Sequence, residues 1–189
     1  MSRITILLLC ALMWAGSSNG YAQLTFTSSD AVVVDQGSSL LHELTVTGFE
    51  GEFVIVVESV LPSWLVFDKD SQNRYWLSGI PNQSDVGSHN VQFRVTDAVG
   101  SAMQLFSLTV NNVNDAPVIK GQVPLTTVEE TPLTLTLSHF TITDEDGDTN
   151  FTLAVQSGTN YIVSGTTITP SVDFQGALTV PVTVSDGKA

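Results

Sequence analysis

Residues 112–118 read NVNDAPV, and residues 144–148 read DEDGD, which sets four carboxylates in five positions. Carboxylates and amide carbonyls share one chemistry, the offer of hard oxygen atoms to a divalent cation. Calcium takes six to eight such oxygens with flexible geometry, and backbone carbonyls complete the shell. Asp-x-Asp spacing, as in Asp144 and Asp146, suits it because alternate residues of an extended turn point the same way. The competing explanation for each acid is a solvated turn residue, since Asp and Asn dominate turns. An EF-hand loop is excluded: counted from Asp144, Gly147 stands at position four instead of six, and Val155 occupies the place of the bidentate Glu. Catalytic constellations are not visible. His42, His89 and His139 are scattered, no nucleophile–base pair can be drawn, and neither Gly-x-Ser-x-Gly nor His-Glu-x-x-His occurs. The chain is therefore not expected to be an enzyme.

The elements that must position these acids are strands. VQFRV (91–95) puts Val91, Phe93 and Val95 on one face, and FSLTV (106–110) does the same with Phe106, Leu108 and Val110. LTLTL (133–137) and LTVPVTV (178–184) alternate in the same way. Period two with β-branched and threonine-rich composition predicts antiparallel strands with one buried face. Clusters such as GFEGE, DKDSQN, PNQSDVG and TDAVG punctuate them as turns. Short strands at this density predict β-sandwiches.

Residues 1–22 stand apart from that pattern. A lone Arg3, an apolar run from Ile4 to Ala15 and a small-residue stretch ending at Ala22 describe a secretory signal peptide. The run is too short for the roughly 20 residues that span a bilayer. Cys10, the sole cysteine, lies inside it, preceded by Leu9 where a lipidation site would carry a small residue. The mature chain from Gln23 then has no cysteine and is expected to be exported, held by its core or by bound metal instead of disulfides. Removing Arg3 leaves five basic against 19 acidic residues, a net charge of 5 − 19 = −14. That excludes nucleic acid and anionic membrane surfaces as partners. NQS (82–84) and NFT (150–152) are glycosylation triplets that matter only in a eukaryotic secretory route.

The chain also repeats itself. SDVGSHNVQFRVTDAVG (84–100) aligns with VDFQGALTVPVTVSDGKA (172–189), so Gly87 and Asp97 correspond to Gly176 and Asp186, a period of 89 residues. Upstream, VVVDQGSSL (32–40) resembles TTVEETPLTL (126–135), which sets Asp35 against Glu129. Two copies of one unit are expected, 23–113 and 114–189, joined at NNVNDAPV, where Pro117 blocks strand continuation. The first copy carries a further strand, AMQLFSLTV, after Asp97, and the second has no counterpart, so an unpaired sheet edge is expected. Sandwich turns distant in sequence converge at one end of the fold. Asn114, Asp115, Asp144, Asp146 and Asp186 would gather there, and the carboxylates among them would repel each other by several kcal/mol. A divalent cation removes that penalty and would lock the joint.

VNDAPV, VEETPL, DEDGD and VSDG together resemble the cadherin-type repeats of secreted and surface bacterial proteins. The first copy, through LPSWLVFDKDSQNRYWLSGIPNQSDVGSHNVQFRVTDAVG, resembles the dystroglycan-type cadherin-like domain. The resemblance covers 23–189 and implies an all-β chain of two tandem Ig-like/cadherin-like antiparallel β-sandwiches, the second lacking its last strand. It implies a Ca2+ ligand set of Asp35 and Asp85 from the first copy, Asn114 and Asp115 from the joint, and Asp144, Asp146 and Asp186 from the second copy. Glu129 and Asp173 would face a third repeat. Two departures matter: PNQSDVG offers one acid where cadherins carry Asp-Arg-Glu, and the joint reads Asn-Asp-Ala where three consecutive ligands are usual. Fewer carboxylates imply weak binding, with Kd roughly 10⁻⁴ to 10⁻³ M.

The expected role is a secreted or cell-surface, calcium-binding adhesion or spacer module from a longer multi-repeat protein, without a transmembrane helix in this stretch. Its partners would be neighbouring repeats and a protein or polysaccharide on a surface or matrix. The alternative is a polysaccharide-binding accessory module of a secreted hydrolase, with Tyr75 and Trp76 as the stacking aromatics. A metal-free structural stalk is a third reading. Trp64, in PSWLVF, is expected in the core.

Overall fold

The structure is a computed structural model that describes residues 22–188. The expected signal peptide lies outside the described residues, Ala22 excepted. The fold is all-β: tandem Ig-like sandwiches of short antiparallel strands, with two single-turn 3-10 helices at Gln83–Asp85 and Leu137–His139. Among the described residues no helix is long and apolar enough to cross a membrane.

The first repeat has a four-stranded sheet in the order Ala31–Asp35, Ser101–Asn111, Gly87–Thr96, Val54–Val57. Opposite this is a three-stranded sheet, Leu40–Leu44, Tyr75–Gly79, Leu65–Lys69, and a short pair joins Thr25–Phe26 to Val46–Thr47. The second repeat reproduces the three-stranded sheet as Leu133–Thr134, Thr167–Pro170, Tyr161–Ser164, and the short pair as Val118–Gln122 with Phe140–Thr143. Among the described residues its remaining sheet has two strands, Thr152–Val155 and Val182–Ser185. The repeat extends to the register. Residues 54–57 pair with 96–93 in the first copy and 152–155 with 185–182 in the second, and adding 89 to 93–96 gives 182–185. Gly87 and Gly176, one period apart, both sit at positive φ, +125° and +129°, where a side chain would be strained.

Alternation decides what is buried. Val91, Phe93, Val95, Phe106, Leu108 and Leu77 are all 0% exposed. Each such side chain contributes about 1.5–3 kcal/mol relative to leaving it in water. Rings link the two sheets: Phe67 stacks on Tyr75 at 5.7 Å and lies 5.5 Å from Phe93, which meets Phe106 edge-on at 6.1 Å. Between residues 118 and 188 the buried large apolar side chains are Leu135, Tyr161 and Ile168, at 4–5% exposure.

Two strands are shorter than their alternation predicts. LTLTL forms a strand only over Leu133–Thr134, because residues 137–139 wind into a 3-10 turn in which the Thr136 N–H donates to His139 Nδ1. In LTVPVTV the strand begins at Val182, after Pro181, whose nitrogen has no hydrogen to give the ladder.

The turn between Leu65–Lys69 and Tyr75–Gly79 is organised by one carboxylate. Asp70 accepts the backbone N–H groups of Gln72 and Arg74, the Arg74 guanidinium and the Trp76 indole N–H. These donors, the Arg74 N–H first, lower its pKa to about 2. A carboxylate held below its unfolded value adds stability above that value and loses it as pH falls through the folded one. The contribution of Asp70 is therefore full above about pH 4 and fades towards pH 2. Asp70→Ala should lower Tm at pH 7, and the gap from wild type should narrow steadily in melts taken from pH 4 down to pH 2. A gap independent of pH would assign the loss to packing.

By internal contacts the chain forms two compact units. One comprises the residues up to Ala31, Leu41–Ser78 and Asn90–Ser107; the other comprises Val32–Leu40, Gly79–His89 and Leu108–Ala189.

Candidate metal centre

All seven predicted ligands belong to the second of these units. After the strand Phe140–Thr143 the chain turns on the side chain of Asp144, whose Oδ1 accepts the N–H groups of Asp146 at 2.9 Å and Asp148 at 3.3 Å. Its carbonyl accepts the N–H of Gly147, which has φ +77°. The tight turn brings Asp144 and Asp148 to one side. Asp186, just past Val182–Ser185, fixes its own turn by accepting the Lys188 N–H at 2.8 Å. One carboxylate oxygen each from Asp144, Asp148 and Asp186 lies within 4.8 Å of the others, and all three residues are half-buried.

The joint closes around this group. Asn114 Nδ2 donates to Asp186 Oδ2 at 2.8 Å, which leaves Asn114 Oδ1 buried with no hydrogen-bond donor. Asp144 Oδ2 is in the same condition. A buried oxygen without a donor is costly, about 1–3 kcal/mol and more for a charged group. Asp146 faces the joint, taking the Asp115 N–H at 2.7 Å, Asn112 Nδ2 at 2.8 Å and Gln83 Nε2 at 3.2 Å. Gln83 Oε1 is also buried without a donor. The Asp115 N–H, with Asn112, holds Asp146 below the usual carboxylate range, and the Lys188 N–H, with Asn114, does the same for Asp186. Lys188 reaches Asp148 Oδ2 at 2.5 Å, and that bond raises its own pKa.

The predicted ligands thus divide. Asp144 and Asp186 share the oxygen cluster, with Asn114 hydrogen-bonded to it and Asp146 in the same turn as Asp144 but outside the cluster. Asp115 joins through its backbone, and its carboxylate takes the Gln36 amide at 2.9 Å. Asp35 accepts from Asn111 Nδ2 at 3.0 Å, and Asp85 caps its 3-10 turn by accepting the Asn82 N–H at 2.9 Å. Neither carboxylate is among the clustered oxygens. Asp148 and Gln83 were not singled out from the sequence. Asp148 had a signal, its position four residues after Asp144 around a glycine, whereas a neutral glutamine has none. Asp97 is structural: it accepts the N–H groups of Glu50, Val99 and Gly100. Glu129 accepts the Asp173 N–H.

Tyr75 and Trp76 do not form a sugar platform. Successive strand residues point to opposite faces, so Tyr75, 4% exposed, joins the aromatic core while Trp76 lies under the Arg74 guanidinium, 5.2 Å from its ring centre.

Residues 17–111 match the family described as putative Ig domain, and residues 114–189 match the bacterial Ig domain family. No curated protein sequence matches the chain. Among solved structures, a variant of the endo-fucoidan hydrolase MfFcnA4 from glycoside hydrolase family 107 aligns at 22% identity and TM-score 0.46, over 92% of this chain and 28% of the hydrolase. An I-band fragment of titin aligns at 17% identity and TM-score 0.42, over 87% of this chain and 61% of the fragment. The chain spans less than a third of the hydrolase it aligns with.

Proposed function

The chain belongs to the putative Ig domain family, and from that premise we propose that it is an exported adhesion or spacer module whose acidic loops bind calcium. Ig-like sandwiches serve as spacing and recognition modules with function carried by their loops. The observation that carries the calcium reading is the oxygen cluster of Asp144, Asp148 and Asp186 beside two buried oxygens, Asn114 Oδ1 and Asp144 Oδ2, that lack donors. These residues fit a hard cation: the set is all oxygen, half-buried, and holds more negative charge than Lys188 neutralises. Calcium would supply charge neutralisation and cross-link three stretches far apart in sequence, 114–115, 144–148 and 186. The protein's own part is to keep the turns preformed through the Asp144 and Asp186 side chains. The cadherin-like resemblance, dystroglycan-type for the first repeat, supports the same reading, as does the expected signal peptide, which would export the module to a calcium-rich medium. Its adhesive partner would be a protein or polysaccharide on a surface or matrix.

Thermal melts of the chain in 10 mM calcium and in chelator test this reading. Tm should be higher in calcium, magnesium should raise it less because it demands a tighter octahedron, and Asp144→Ala with Asp146→Ala should abolish the calcium shift. Superimposable melts in calcium and chelator would end the metal's part in the account.

A further inference from the structure

We propose that His42 is an acid-sensitive lock of the first repeat: the neutral ring is seated inside the sandwich against Phe106, and on protonation it leaves that seat and loosens the fold around it. The strand Leu40–Leu44 carries the argument, because period two sends residues 40, 42 and 44 to its inner face. Leu40 and Leu44 are 7% and 2% exposed, so a histidine stands where the pattern asks for a third apolar side chain. Its ring centre lies 4.9 Å from that of Phe106, which is fully buried. His42 Nε2 is itself buried, with no hydrogen-bond partner among the described residues. A neutral ring tolerates such a seat, since only one of its nitrogens carries a proton. A protonated ring has a donor on both nitrogens and a full charge, and burial without partners penalises both.

The surrounding elements offer that charge no counter-ion. Ser101–Asn111, the strand of Phe106, contains no titratable residue. On the segment that leads into Ala31–Asp35, the Ser29 backbone hydrogen-bonds the ring, and Asp30 is exposed. Glu43 follows His42 on the same strand and therefore points to the opposite face. On Tyr75–Gly79 the titratable group is Tyr75, whose ring stacks on Phe67. On Gly87–Thr96, His89 Nε2 meets the Asp85 carbonyl, and Arg94 pairs with Glu58. Burial accordingly pushes the His42 pKa down, and the Ser29 bond, which favours the protonated ring, offsets only part of that.

The polar atoms nearby are also poorly satisfied. Ser28 Oγ and Gln104 Oε1 are buried without partners among the described residues, although Gln104 Nε2 donates to the Ser28 carbonyl at 3.2 Å. Ser28 adjoins the residue that bonds the ring, and Gln104 lies two residues before Phe106 on the same strand. Buried atoms of this kind favour any opening that lets water reach them. A histidine held below its ordinary value of about 6.5 binds fewer protons folded than unfolded. Its contribution is full above that value, and stability is lost as pH falls below it. The window stands clear of Asp70, whose contribution is full above about pH 4. The first repeat would thus slacken as its medium acidifies, with no change required at the acidic loops.

The experiment is urea unfolding of the full chain in chelator at pH 7.5 and 5.5, followed by tryptophan fluorescence. Proton NMR titration of the His42 ring, assigned through its backbone, accompanies it. The wild-type unfolding constant should rise about threefold to tenfold at the lower pH, tenfold being about the most that one histidine supplies over this range. His42→Phe keeps a ring beside Phe106, and His42→Leu completes the apolar stripe. In either variant the rise should shrink to less than about twofold. The His42 ring should titrate with a midpoint below about 6.5, a result that the wild type gives by itself whether or not the variants fold. A midpoint at or above that value, or the same rise in wild type and variants, overturns the proposal.

Discussion

Phe106→Ala is expected to lower the stability of the first repeat by about 3–5 kcal/mol, the range for emptying an aromatic site in a close-packed core. The ring is 0% exposed and lies 6.1 Å from Phe93 and 4.9 Å from His42, centre to centre. Its strand is held on both sides, by Ala31–Asp35 and Gly87–Thr96. The backbone is thus not free to close over the space, which favours the upper part of the range. Leu105, one residue away on the opposite face, is 62% exposed, so Leu105→Ala should change stability by no more than about 0.5 kcal/mol. Urea unfolding followed by tryptophan fluorescence separates the two variants. Trp64 and Trp76 both lie in the first repeat and the second contains no tryptophan, so the signal reports the mutated sandwich. A loss below about 1 kcal/mol for Phe106→Ala, or equal losses for both, would mean that this alternation does not mark the core. The strand also matters for the candidate site, because its last residue, Asn111, holds Asp35 and the next, Asn112, holds Asp146.

Much of the fold was legible because strand period and burial share one cause. Where one face of a strand packs and the other is wet, alternation in type is alternation in exposure, and Val91, Phe93 and Val95 in the first repeat follow it without exception. The 89-residue period was legible for the same reason, since an identical register demands turns at matching positions, as Gly87 and Gly176 show. Legibility failed where a backbone donor decides. Leu178 and Val180 alternate as a strand should, yet with Pro181 beside them they pair with no strand among the described residues.

The site was legible only in part, because charge and position are visible in a sequence and hydrogen bonds are not. DEDGD announced an oxygen-rich turn, but spacing by twos assumes an extended chain. The actual turn is tight, so the partner that Asp144 meets is Asp148, four residues on, while Asp146 faces the joint. Asp35 and Asp85 entered the ligand set through resemblance; here Asn111, 76 residues along the chain from Asp35, and the Asn82 N–H donate to them, and neither carboxylate is among the clustered oxygens. Gln83 carries no charge to draw notice, although its amide donates to Asp146 and its oxygen is buried without a donor.

Asp144→Asn should lower Tm in calcium but not in chelator, and that contrast tests the metal centre most sharply. The amide keeps an Oδ1 that can accept the Asp146 and Asp148 N–H groups, at 2.9 and 3.3 Å in the wild type, so the turn should survive. In chelator the variant loses one of three carboxylates whose oxygens lie within 4.8 Å of each other, and Tm should rise or hold because like charges are relieved. In 10 mM calcium the wild type gains about 1.4–2.7 kcal/mol for a Kd of roughly 10⁻³ to 10⁻⁴ M, and the variant should gain almost nothing. Glu145→Gln removes the same charge from the exposed side of the turn and should leave the calcium gain intact. Lys188→Gln should tighten calcium severalfold, because the ammonium now 2.5 Å from Asp148 competes with a cation for that oxygen. Calorimetric titration and paired melts measure all three. If Asp144→Asn and Glu145→Gln reduce the calcium gain equally, the ion is a screened counter-ion of the acidic surface, and the turn has no ligand-specific role.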